Sequence, residues 1–319
     1  MSVTDRCNFR CAYCMPRDHF GPGFAFLPRK ELLSFEELVR LARVFAGLGV
    51  RKLRLTGGEP LLRAELPKLI SMLAEIAGLE LALTTNGALL SKHADAIARA
   101  GLRRVTVSVD SLDDAVFRSV NDVDFPVAQV LEGIKAARAA GLRPIKVNAV
   151  VRRGVNDSGI EDLVRYFRGT PHILRFIEYM DVGATNGWRM DEVMSGEEIL
   201  ARIARVAPIE PVGPTHPGEV AERWRYLDGQ GEVGVITSVT RPFCAECSRV
   251  RLSANGKLYT CLFASTGTDL RAMLREGGTD ADVTDALSRI WRSREDNYSE
   301  RRTARTEDVS RIEMSFIGG

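Results

Sequence analysis

Along the first two-thirds of the chain, short apolar runs alternate with longer segments whose apolar positions recur every three or four residues. The runs lie at Lys52 to Thr56, Leu81 to Thr85, Arg104 to Val109, Ile145 to Val151 and Ile173 to Tyr179. Their length and β-branched content predict strands. Ser2 to Thr4 reads as the stub of an earlier one, giving about six. Between them, Ser34 with Glu37 three residues on forms a capping box, Leu38, Leu41, Ala42 and Phe45 keep one apolar face, and Gly49 ends the helix. Further helices are predicted over Glu65 to Ala77, Lys92 to Ala100, Val127 to Ala140, Ile160 to Phe167 and Gly196 to Val206. Strands separated by helices run parallel, through right-handed crossovers. The fold class expected is α/β, a partial (β/α)6 barrel of the TIM type. Gly213, Pro214, Pro217 and Gly218 then punctuate the chain. A division near residue 215 would separate a barrel over 1–215 from a turn-rich C-terminal region over 216–319.

The parity of the strands adds a second prediction. Parallel strands buried on both sides should be apolar on both faces. Here Arg54 and Thr56 alternate with Leu53 and Leu55, and Thr106, Ser108 and Asp110 with Val105, Val107 and Val109. Lys146 and Asn148 alternate with Ile145, Val147 and Ala149, while Thr84 and Asn86 share the face opposite Leu81 and Leu83. Polar groups converging from several strands predict a polar cavity inside the barrel. One solvated sheet face is the alternative.

Composition narrows the function classes. The 319 residues are 45% apolar, which suits a sizeable core, and the net charge of +2 with 7% aromatic residues argues against a nucleic-acid coat while leaving room for a local basic pocket. No stretch is long and apolar enough to span a membrane. The polar beginning, Met1 to Arg10, carries no leader pattern, so a cytoplasmic location is expected. In that compartment six cysteines are better read as ligands than as three disulfides.

The cysteines fall into two triads. Cys7, Cys11 and Cys14 lie within eight residues, just after the strand stub. Three thiolates on an iron–sulfur cubane leave one iron open to a chelating substrate. A structural zinc site would need a fourth ligand, for which His19 is available. Gly57-Gly58-Glu59-Pro60 follows the next strand. Its glycines allow close approach of backbone to a ligand and its carboxylate could accept from an ammonium, although the segment could also be a simple turn. The second triad is Cys244, Cys247 and Cys261. A second cubane with an open iron competes with zinc completed by His216 or Glu246. Arg249 and Arg251, two apart in an extended segment, point the same way and suit an anion, or else form a solvated basic patch.

The C-x3-C-x2-C spacing with Tyr13 before the last cysteine resembles the hallmark of the radical S-adenosylmethionine (SAM) superfamily. Within it, the run from Ser2 to Cys11, the GGEP turn, Thr84-Thr85-Asn86-Gly87, Arg175-Phe176-Ile177-Glu178, the segment from Cys244 to Arg251 and the closing Gly318-Gly319 resemble the GTP 3′,8-cyclase family of molybdenum cofactor biosynthesis over essentially the whole chain. The resemblance implies two [4Fe-4S] clusters, one on Cys7, Cys11 and Cys14 and one on Cys244, Cys247 and Cys261. SAM would lie against Tyr13, Gly58, Glu59, Ser108 and Met180. GTP would meet Arg54, Thr84, Lys146, Arg249 and Arg251, with Arg175 nearby. Arg249, Arg251 and Arg175 would serve catalysis, and Gly318-Gly319 would insert toward the site. The reaction implied is hydrogen abstraction from C3′ of GTP by a 5′-deoxyadenosyl radical, then closure onto C8 to give 3′,8-cyclo-7,8-dihydro-GTP. A flavodoxin- or ferredoxin-type reductant and a downstream cyclic pyranopterin monophosphate synthase are the implied partners, and a homodimer is compatible. Family members usually carry an arginine just before the position of Met1, a GTP ligand that this chain lacks. A radical SAM enzyme modifying a peptide is the competing enzymatic reading, and a zinc-stabilised RNA-binding protein the non-enzymatic one.

Overall fold

The computed structural model describes residues 1–216, 218–244, 246–300, 302 and 311–318. Its main sheet has strands β1 (Lys52–Leu55), β2 (Glu80–Thr85), β3 (Arg104–Ser108), β4 (Ile145–Val151), β5 (Ile173–Glu178), β6 (Ile209–Val212), β7 (Glu222–Tyr226) and β8 (Glu232–Ile236). Their spatial order is β1-β2-β3-β4-β5-β8-β7-β6. Strands β1 to β5 and β8 run parallel; at the edge β7 pairs antiparallel with β8, and β6 antiparallel with β7. The sheet is therefore open, as a partial barrel requires. The stub at the chain start is a single parallel bridge, Ser2 with Thr56, and β8 supplies the sixth full parallel strand. The sheet thus continues through residue 215, with β7 and β8 contributed from beyond it.

Helices α1 (Phe35–Gly47), α2 (Leu66–Ala74), α3 (Leu90–Arg99), α4 (Asp114–Asn121), α5 (Val127–Ala139), α6 (Ile160–Phe167) and α7 (Gly196–Val206) cover one face of this sheet. The capping box at Ser34 is formed: its hydroxyl accepts from the Glu37 amide at 3.1 Å and Glu37 accepts from the Ser34 amide at 2.7 Å. Leu53, Leu55, Leu81, Leu83, Val105, Val107, Val147 and Phe176 bury themselves beneath the helices in one continuous core. Helix α4, whose N-cap Asp113 accepts from the amides of Ala115 and Val116, is additional to the helices expected from the sequence. After β8, a small antiparallel sheet forms from β9 (Arg251–Leu252), β10 (Lys257–Tyr259) and β11 (Thr268–Asp269). Helices α8 (Leu270–Arg275), α9 (Asp280–Arg292) and α10 (Met314–Ile317) complete the described chain. No helix among the described residues is long and apolar enough to cross a membrane.

Candidate functional site between two cysteine triads

The uncovered face of the sheet encloses a cavity of about 1370 Å³. Ladder register explains its lining. Arg54 stands opposite Ala82, which stands opposite Arg104; Thr84 pairs Thr106, which pairs Lys146; Ser108 pairs Asn148, then Arg175, then Gly234. Because side chains alternate across a strand, every polar member of these rows points inward while the apolar neighbours pack under the helices. Ala82 and Gly234 keep the rows open: a β-carbon on Gly234 would lie 3.0 Å from Cγ of Arg175. Arg54 donates to the hydroxyls of Thr84 (2.7 Å) and Thr106 (3.1 Å), and Arg175 donates to Oδ1 of Asn148 (3.0 Å). The polar cavity expected from strand parity is present.

The first triad sits where strand C-termini converge. Cys7, Cys11, Tyr13 and Cys14 line the cavity with Gly57, Gly58, Asn86, Ser108, Asp110 and Met180. Phe9 anchors the loop by packing on Phe117 and Phe125. Arg10 threads it from within, donating to the carbonyls of Cys7, Phe9 and Phe20 at 2.7–2.8 Å. The two glycines of the GGEP turn are required by the chain itself. β-Carbons there would lie 2.3 Å from the carbonyl oxygens of Thr4 and Arg6, and the amides of Gly58 and Glu59 donate to those same oxygens at 2.9 and 2.8 Å. The turn thus clamps the cysteine loop. Glu59 is fully buried and does not line the cavity; its carboxylate accepts from the amides of Leu61 (3.0 Å) and Asn86 (2.8 Å) and from the Thr85 hydroxyl (2.8 Å). The ligand-facing carboxylate expected from the motif is therefore turned inward, and the cavity meets Gly57 and Gly58 instead. Burial pushes the Glu59 carboxyl up to about 7.

Cys7 accepts from the Phe9 amide (3.4 Å) and from Nδ2 of Asn86 (3.7 Å). Such N–H donors to sulfur suit a thiolate carried by iron. As free thiols the triad is held protonated: burial pushes Cys7 up to about 11 and raises Cys11 and Cys14 as well. Metal binding reverses that preference by displacing the proton. His19 is exposed and does not line the cavity, so the zinc alternative built on it has no support in the fold. Among the described residues no group of three or more His, Cys, Asp or Glu side chains forms a single-ion site. Tyr13 donates to Asp110 at 2.8 Å, and burial pushes that carboxyl up to about 6.

Across the cavity stand Cys244, Cys247 and Cys261 with Arg249 and Arg251. All six cysteines are free. Arg249 donates to Cys247 Sγ at 3.3 and 3.1 Å and lies over the Phe243 ring at 5.1 Å. Burial raises the Cys247 thiol, but the Arg249 charge together with hydrogen bonds from Arg294 and Arg249 outweighs it and brings the thiol down to about 7. Phe263 donates its amide to Cys261 Sγ at 3.5 Å. His216 reaches the cavity wall, whereas Glu246 lies outside it. Of the chain end, Gly318 lines the cavity and a β-carbon there would lie 2.1 Å from Cγ2 of Thr56; Gly319 lies outside the described residues.

The electrostatics of the lining are one-sided. Arg54, Lys146, Arg175, Arg249 and Arg251 all line the cavity, and none forms an ion pair among the described residues. The acids nearby are engaged elsewhere: Glu80 with Arg104 (3.0 Å) and Lys52 (3.7 Å), and Glu219 with Thr215. Burial lowers Arg54, brings Lys146 down to about 8 and brings Arg175 and Arg251 down to about 10. Lys52, Glu80 and Arg104 were missed by motif reading. They open the apolar runs at the opposite mouth of the barrel, and their inward parity was the available signal.

Comparisons with known proteins agree with this arrangement. The Radical SAM superfamily model matches residues 1–167, and the Molybdenum Cofactor Synthesis C model matches residues 172–300. A GTP 3′,8-cyclase of Acidothermus cellulolyticus is 55% identical over 100% of this chain and 91% of its own length. One from Staphylococcus epidermidis is 48% identical over 100% and 95%. Among solved structures, Streptococcus suis SuiB bound to S-adenosylmethionine aligns with 96% of this chain and 67% of its own, at a TM-score of 0.63 and 15% identity, a likeness of fold. Identity of this extent over the full chain, carried by both domain models, places the chain in the GTP 3′,8-cyclase family of the radical SAM superfamily.

Proposed function

We propose that this chain cyclises GTP to 3′,8-cyclo-7,8-dihydro-GTP, an early step of molybdenum cofactor biosynthesis. The observation that carries the reading is the set of five cations without a carboxylate ion-pair partner among the described residues, Arg54, Lys146, Arg175, Arg249 and Arg251, facing one cavity between two thiol triads. Buried charge without a partner is costly. A polyanionic nucleotide is the ligand that removes the cost, and planar guanidinium forks match phosphate oxygens.

Position in the cavity supports the following roles. Cys7, Cys11 and Cys14 would hold a [4Fe-4S] cluster, which with SAM would supply the hydrogen-abstracting radical chemistry. Tyr13, Gly58, Ser108 and Met180 wall the SAM site, and Glu59 acts on it by fixing the turn and Asn86. Arg54, Thr84, Lys146 and Arg175 hold the triphosphate along the strand rows. Cys244, Cys247 and Cys261 would hold a second cluster on the substrate side of the cavity, while Arg249 and Arg251 would stabilise charge during closure. Holding both reacting carbons in one clamped nucleotide makes the closure intramolecular. The walled cavity keeps water and stray hydrogen donors from the radical. Residues 1–215 would form the SAM-binding unit and 216–319 the unit carrying the second triad. A flavodoxin- or ferredoxin-type reductant, a cyclic pyranopterin monophosphate synthase downstream, a homodimer and a cytoplasmic location complete the proposal.

The test is anaerobic reconstitution with iron, sulfide, SAM, GTP and a reductant, followed by chromatographic separation and fragmentation mass spectrometry, which distinguish the cyclised isomer from GTP. The expected products are 5′-deoxyadenosine and a cyclised GTP of unchanged mass. 5′-Deoxyadenosine formed while GTP remains intact would keep the SAM chemistry and reject the substrate.

A further inference from the structure

We propose that Asp181 and Glu313 are positioning residues that latch the chain end into the cavity, so that the loop after β5 and the segment Met314–Gly318 move as one wall. The inference rests on the function proposed above. Asp181 follows Met180, a cavity residue, and is 1% exposed. Its carboxylate accepts from the Tyr298 hydroxyl (2.5 Å), from Nε of Arg302 (2.8 Å) and from Arg311 (2.9 Å), and its carbonyl accepts from Arg311 again (2.6 Å). Both guanidiniums are almost completely buried. Arg311 stacks on the Tyr298 ring at 4.4 Å, and Arg302 on Phe263 at 5.2 Å, two residues beyond Cys261. One carboxylate therefore gathers the SAM-side loop, the second-triad segment and the chain end.

A second clasp lies two residues further on. The Glu313 carboxylate accepts from the Ala184 amide at 3.0 Å and from the Thr185 hydroxyl at 3.1 Å. It can enter only because residue 183 is glycine, at φ +70°, where a β-carbon would lie 2.2 Å from the carboxylate oxygen. From there α10 carries Ile317, fully buried, and Gly318 to Thr56 at the end of β1. A helix of four residues does not hold itself in water. Its place on the wall thus depends on the clasps at its start. Without them the wall opens between the two triads and GTP loses its fixed pose while the first triad stays intact.

The variants are Glu313→Ala, Glu313→Gln and the charge-neutral Thr185→Val, which removes a clasp donor from the other side. Asp181→Asn serves as a fourth, although its burial makes misfolding the hazard. The first readout needs no cluster: amide exchange of the C-terminal peptide spanning Ile317 and Gly318 in the isolated protein. Exchange should accelerate about tenfold or more in Glu313→Ala, less in Glu313→Gln and Thr185→Val, with the Met15 amide of the cysteine loop unchanged. The second is the ratio of 5′-deoxyadenosine to cyclised GTP in reconstituted enzyme, which should rise about tenfold, with 5′-deoxyadenosine formation within about twofold of the parent. Unaltered exchange in Glu313→Ala, or a parallel fall of both products, would overturn the latch. If the parent makes no cyclised GTP the proposed function fails, and the exchange experiment alone decides the latch.

Discussion

Replacing Lys146 by methionine should strengthen the ligand-free protein and weaken its hold on GTP. Lys146 is half-buried on β4, and burial, with the charges of Arg175 and Lys52, brings its pKa from the usual 10.5 to about 8. At ~1.4 kcal/mol per unit, that shift corresponds to ~3 kcal/mol of cost for keeping the ammonium charged at neutral pH. Solvent screening of the exposed part reduces this to ~1–2 kcal/mol. The folded-state pKa lies below that of the unfolded chain. Below about pH 8 the folded protein therefore bears the full cost, and between about pH 8 and 10.5 the unfolded chain binds more proton and stability rises with pH. Methionine removes both the cost and that rise. Thermal melts of isolated protein should show Lys146→Met unfolding ~1.5–3 °C higher than the parent at pH 7, the gap closing by pH 10. With saturating GTP the order should invert, because a charge-assisted bond worth ~1.5–3 kcal/mol is lost, a weakening of about 10- to 150-fold. A lower melting temperature for ligand-free Lys146→Met, or an unchanged GTP affinity, would refute the claim that the cavity stores unpaired charge for a polyanion.

Further outcomes can be checked separately. Gly58→Ala forces a β-carbon to 2.3 Å from the Arg6 carbonyl oxygen, and should roughly halve reconstituted iron and labile sulfide by displacing the first-triad loop; full iron loading would contradict the clamp. Glu59→Ala strands buried donors on Leu61, Thr85 and Asn86, and should destabilise the protein by ~2–4 kcal/mol in urea unfolding, with no loss expected if the carboxylate instead faced a ligand. Cys261→Ala should retain 5′-deoxyadenosine formation and lose cyclisation by at least about 100-fold; cyclisation at the parental rate would remove the second triad from the mechanism. Gly318→Ala, at φ +76° against Thr56, should leave the melting temperature within ~2 °C while cyclisation falls about tenfold or more.

The sequence alone determined the strand–helix alternation, the inward polar parity and the two triads, because each is a local pattern. A 2-residue period fixes which side chains share a face, a capping box fixes where α1 starts, and cysteines a few residues apart cannot stray far from one another. Parity puts Arg54, Thr84 and Lys146 on the polar side of their strands whatever the fold around them. What the tertiary structure decided is non-local. That Glu59 turns away from the cavity depends on Thr85 and Asn86 at the end of another strand. That the GGEP glycines serve the cysteine loop depends on Thr4 and Arg6 approaching to contact. That β8 extends the sheet across residue 215 depends on pairing with β5, some sixty residues earlier. Short strands such as β6 to β8 carry too little periodicity to announce such a pairing. Likewise Asp181 was an ordinary acidic residue in the sequence, and it became a junction only when Arg302 and Arg311 folded back onto it. Local patterning sets the faces of each element; the burial and hydrogen-bond demands of the assembled chain choose which of those faces meet.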